Sequence, residues 1–129
     1  MHISVRICEP NEIASLRECY RREMDCQIIH DSIHARSGWT IEYVLEINGD
    51  TAGYGSVAIA GPWKTSHALY EFYVKEDYRQ RIFDLFAALL TKCDASTIET
   101  QTNSAILPVM LHTFAQSVHA EAILFENRF

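Results

Sequence analysis

Asn48-Gly49-Asp50 constrains this chain more than any other segment. Asn-Gly accepts the positive φ of a tight hairpin turn at low steric cost. Before it, Trp39 to Ile47 (WTIEYVLEI) alternates and is rich in β-branched and aromatic residues, the pattern of a half-buried strand. After it, Thr51 to Ala60 returns as the partner strand. Gly53 and Gly55 inside that strand predict close packing or a bulge.

The flanking segments add elements on both sides of this hairpin. His2 to Cys8 alternates Ile3, Val5 and Ile7, which predicts a short strand with one buried face. Pro10 suits a first helical turn, and Glu12 favours the positive end of a helix. Ile13, Leu16, Cys19 or Tyr20, and Met24 then recur at helical spacing, predicting an amphipathic helix over 11–24. Residues 25–36 read as a second helix, ended by Ser37-Gly38. Residues 61–67 read as a loop, 68–75 as a strand and 76–81 as a polar connector. Ile82 to Cys93 is a strongly apolar helix, 96–102 a strand, 103–117 a helix and 120–126 a last strand. Pro108 would distort the helix over 103–117 unless it stands near the first turn.

Meander strands followed by strand–helix–strand units predict an α/β (α+β) domain with a mixed, mostly antiparallel sheet flanked by helices. With 129 residues, one domain is expected, spanning 1–129. A net charge of -6 argues against a general nucleic-acid binder, which needs a basic face. No stretch has the length of a membrane span, and no signal peptide precedes the first strand. Cys8, Cys19, Cys26 and Cys93 form no CxxC pair and read as free thiols in a reducing compartment, so a cytoplasmic location is expected. GxSxG, P-loop and GxGxxG signatures are absent.

Two phrases carry a resemblance. One is Val74-Lys75-Glu76-Asp77-Tyr78-Arg79, which leads into the apolar helix from Ile82. The other is Thr100-Gln101-Thr102-Asn103, a strand end followed by a helix. With this element order, the chain resembles the GNAT N-acetyltransferase superfamily over nearly its whole length. The resemblance implies acetyl-CoA as cosubstrate and an amine of a small molecule or peptide as acceptor. It implies that Phe72, Tyr73 and Val74 line the pantetheine arm. It also implies that Arg79, Gln80, Arg81, Ile82 and Phe83 line the pyrophosphate, where a helix start offers backbone N–H groups, with Asn103 beyond. Asn103 is equally explained as a helix cap.

Departures accompany the likeness. Gln80, Ile82 and Asp84 stand at the three small positions of the family's glycine-rich loop. Glycine there lets the backbone close round phosphate, and Asp84 adds negative charge. The tyrosine that often protonates the departing thiolate has no counterpart between Leu111 and Phe129, where Phe114 and Val118 stand. Against the family's usual length, either the final strand is missing or a partner chain supplies an equivalent, and a sheet that ends early exposes an edge through which two copies could pair.

The resemblance marks Glu71 as the carboxylate that takes the proton from the amine; the plainer alternative is a solvent-facing strand residue. Tyr73 shares its face by strand alternation and could donate a proton, or simply pack in the core. Tyr70 and Phe72 are expected together on the opposite face. Arg79 and Arg81 suit an anion, or salt bridges to Glu76 or Asp77. His30, Asp31 and His34 fall on the helix that walls the acceptor side in the family. Cys26, His30 and His34 at i, i+4 and i+8 on one straight helix would set the outer two about 12 Å apart, a poor metal site, so no metal is expected. The leading expectation is acetyl transfer; the alternative is a catalytically inactive GNAT-like module acting through oligomerisation.

Overall fold

The structure, a computed structural model, describes residues 2–24, 38–100 and 106–116. Strands β1 (Ile3–Cys8), β2 (Thr40–Ile47), β3 (Asp50–Ala58), β4 (Ala68–Val74) and β5 (Thr97–Ile98) form one sheet in the order β1-β2-β3-β4-β5. The first three pairings are antiparallel and β4–β5 is parallel. Helices are α1 (Ala14–Met24), α2 (Ile82–Lys92) and α3 (Leu107–Phe114). This is the mixed α+β sheet expected from the sequence.

Asn48 and Gly49 take φ of 52° and 86°, so the β2–β3 turn has positive φ at both central residues, as type I′ demands. Both strand glycines answer close approaches. A Cβ on Gly53 would lie 2.1 Å from the Tyr73 carbonyl oxygen, and one on Gly55 2.4 Å from Leu89 Cδ2 of α2.

The sheet has two unlike faces. Tyr43, Leu45, Val57, Leu69, Phe72 and Val74 pack with Leu85, Phe86 and Leu89 of α2 and Leu107 and Met110 of α3. The other face packs α1 through Cys8, Ile13, Leu16, Tyr20, Val44, Tyr54 and Tyr73. The buried polar residues Glu42 and Glu71 and the Ser56 between them follow the register Cys8–Glu42–Ser56–Glu71 across four strands.

Several expectations need correction. β3 ends at Ala58 rather than Ala60, and a 3₁₀ turn at Gly61–Trp63 interrupts the following loop. The polar connector is itself helical, a 3₁₀ helix over Glu76–Arg81 running straight into α2. The helix expected over 103–117 is described over Leu107–Phe114, with Pro108 in its first turn, where its missing N–H costs nothing. Ile7 is 62% exposed, whereas Ile3 and Val5 are half-buried against the apolar core. Tyr70 does not share a face with Phe72. Val57 pairs with Leu69 and Ser56 with Glu71, so Tyr70 is the extra residue of a β-bulge. Its phenol lies among Ser56, Glu42 and Glu71 instead of against α2. The second helix over 25–36 and the strand over 120–126 lie outside the described residues.

Candidate functional site

Glu71 lies at the centre of the polar side of the sheet. Its side chain has 0% exposure, so it is not the solvent-facing strand residue of the plainer alternative. Arg17 of α1 donates from Nε to Glu71 Oε1 at 2.9 Å, and the Tyr54 hydroxyl of β3 donates to the same oxygen. Burial first, and then the Glu71 charge, push the Tyr54 phenol well above its ordinary value. One strand pair away, Glu42 accepts from the hydroxyls of Thr40 and Ser56. Burial, Glu42 and Glu71 together raise the Tyr70 phenol. Both carboxylates thus sit among donors, as buried charge requires.

Tyr73 shares the Glu71 face, with its ring 6.1 Å from Tyr20 and 6.4 Å from Tyr54 between centroids. Burial and then Glu23 raise its phenol, so it stays protonated at neutral pH. The Arg79 guanidinium lies 5.6 Å from the Tyr73 ring centroid. Arg79 Nε donates to the Val74 carbonyl at 3.0 Å, and its Nη2 pairs with Glu23 near the end of α1. Its bonded acidic partner is therefore Glu23, while Glu76, weighed from the sequence, adds a weaker charge interaction.

Among the described residues, the outer edge of β4 is paired only at its start. Parallel pairing with β5 covers Ala68 and Leu69, and the Glu99 N–H donates to the Leu69 carbonyl. Among the described residues, no β5 partner extends to Phe72, Tyr73 or Val74. An extended chain with amide groups can pair with such an edge.

At the helix start, Ile82 N–H donates to the Arg79 carbonyl and Tyr78 N–H to the Lys75 carbonyl. The coil from Glu76 into α2 uses these amides internally, and its first turn carries Glu76 and Asp77. Gln80, Arg81, Phe83 and Asp84 are exposed, and Ile82 is half-buried against the apolar core. Arg81 Nη1 approaches Asp84 Oδ2 at 4.0 Å. Phe72 stacks edge-on to Phe86 at 4.7 Å. His30, Asp31, His34, Cys26 and Asn103 lie outside the described residues. No cluster of metal-ligating side chains occurs among the described residues, and none of their helices is long and apolar enough to cross a membrane.

Sequence reading missed Arg17, Tyr54 and Glu42. A signal existed for Arg17: it stands inside the apolar stripe, four residues after Ile13 and three before Tyr20. A charged residue in a buried stripe needs a partner across the interface.

No protein-family model matches the sequence, and no curated protein matches it. Solved structures do share the fold. Ribosomal-protein-alanine N-acetyltransferase from Brucella melitensis biovar Abortus 2308 superposes with a TM-score of 0.68 at 14% identity, over 100% of each chain. AAC(6')-Iy in complex with the bisubstrate analog CoA-S-monomethyl-acetylneamine gives 0.58 at 15% identity, over 100% of each chain. A predicted acetyltransferase from Clostridium acetobutylicum, solved with acetyl-CoA, gives 0.58 at 13%, over 97% of this chain and 96% of that one.

Proposed function

We propose that this chain, whose fold is that of the GNAT acetyltransferases, moves an acetyl group from acetyl-CoA to an amine of a small molecule or peptide. The observation that carries the reading is a β4 edge at Phe72–Val74 that has no β5 partner among the described residues, together with a buried, hydrogen-bonded carboxylate on the same strand. The edge fits an extended amide-bearing arm, and Arg79 at its end fits a phosphate if Glu23 yields its place. Acetyl-CoA, when bound, supplies the thioester carbon that the amine attacks. Glu71 accepts the proton that the amine gives up, directly or through a water. Tyr73, whose phenol is kept protonated by burial and Glu23, serves in this reading as the donor to the departing sulfur. Free Cys8, Cys19 and Cys93 support a reducing compartment.

The test is calorimetric titration with acetyl-CoA and CoA, with acetylation assayed against a panel of amines. Arg79→Ala should weaken binding at least tenfold. Glu71→Gln should bind the cosubstrate while losing about 100- to 10,000-fold in rate, the usual weight of a general base. The second reading, a non-catalytic module that pairs with another copy through a sheet edge, is favoured by the internally bonded, glycine-free coil over Glu76–Arg81. Absence of binding at millimolar acetyl-CoA, together with a dimer in solution, would move the conclusion to it.

A further inference from the structure

Burial and pairing pull Glu71 in opposite directions. A carboxyl with 0% exposure favours its protonated form, because a low-dielectric surrounding penalises charge. Glu42, buried on the same face and separated from it in register by Ser56, is a second carboxyl on this side of the sheet. Tyr70 and Tyr73 from its own strand, Tyr54 from β3 and Tyr20 from α1 surround it with neutral phenols. Arg79 and Glu23 lie beyond Tyr73. Arg17 acts the other way. Its guanidinium, 13% exposed, meets Oε1 at 2.9 Å and stays charged at any working pH. The Tyr54 hydroxyl also favours the ionised form, because it donates to the same oxygen. Two donors from two elements fix the position of Oε1.

Resting on the acetyl-transfer reading, we infer that Arg17 and Tyr54 are positioning residues that keep Glu71 ionised and singly oriented, able to accept a proton at neutral pH. Without the Arg17 charge, burial weighs more heavily on Glu71. A larger share of it is then the neutral acid, and a neutral carboxylic acid cannot serve as the base.

The test is a carboxyl ¹³C NMR titration of the intact chain, with Glu71 assigned through Glu71→Gln. In the wild type Glu71 should be ionised at neutral pH. In Arg17→Gln it should titrate higher by about 1 to 3 pH units. The acidic limb of kcat/KM should move by the same amount, and Arg17→Lys should restore most of it. Tyr54→Phe should shift it in the same direction by less. A Glu71 found protonated at neutral pH in the wild type would overturn the inference, whether or not Arg17→Gln folds. So would an unchanged titration in Arg17→Gln. If the titration shifts but acetylation is indifferent to Glu71→Gln, the Arg17–Glu71 coupling stands and the acetyl-transfer reading falls.

Discussion

At the residue scale, two glycines on one strand meet different obstacles. A methyl group on Gly53 would strike the Tyr73 carbonyl oxygen at 2.1 Å, which is backbone of the paired strand. One on Gly55 would meet the end of the Leu89 side chain at 2.4 Å, which can turn away. Overpacking costs about 1–3 kcal/mol. Gly53→Ala should therefore lie at or above the top of that range and Gly55→Ala near its bottom, read from urea midpoints at constant slope. Equal losses would mean that the β3–β4 pair gives as easily as a leucine rotamer. Residue identity alone announced that these glycines mark close approach. It did not announce the Arg17–Glu71 bond, whose partners are 54 positions apart. Glu71 and Tyr73 were placed on one face by alternation, whereas Tyr70 was misplaced because one inserted residue inverts the alternation locally.

At the element scale, the β2–β3 hairpin was the most legible part of the chain. Its turn chemistry is local, and the positive φ of Asn48 and Gly49 meets it. Gly49→Ala should cost about 1–2 kcal/mol, the left-handed penalty of a side chain with a Cβ. An unchanged melting temperature in that variant would show that the turn relaxes to another type. The boundaries of β5 and α3 were less legible, because a two-residue strand such as Thr97–Ile98 has too short a period to announce itself. The 3₁₀ helix over Glu76–Arg81 was read as a connector for a related reason. Its residues carry no apolar stripe, and its place is set by Arg79 reaching the Val74 carbonyl and Glu23.

At the scale of the whole molecule, the sheet divides an apolar core against α2 and α3 from a mixed core against α1. Charge on the α1 side couples folding to pH. Glu12 is held below its ordinary value, first by the Glu9 backbone N–H at 2.8 Å and then by Arg6 at 3.2 Å. A carboxyl with a lowered folded value binds fewer protons folded than unfolded between the two values. Its stabilisation is therefore present above the unfolded value and lost as pH falls through the folded one. Urea unfolding at stepped pH should show stability falling below the ordinary glutamate range, and Glu12→Gln should flatten part of that slope. A slope identical in the variant would remove Glu12 from the account. By itself the sequence determined the central hairpin and the order of the described strands and α-helices, because these follow from neighbours along the chain. Only the tertiary structure decided that Arg17 and Tyr54 close on Glu71, that a bulge turns Tyr70 toward them, and that β5 pairs in parallel with Ala68 and Leu69 at the start of β4. Those outcomes depend on register between segments distant in the chain, where a shift of one residue exchanges buried for exposed.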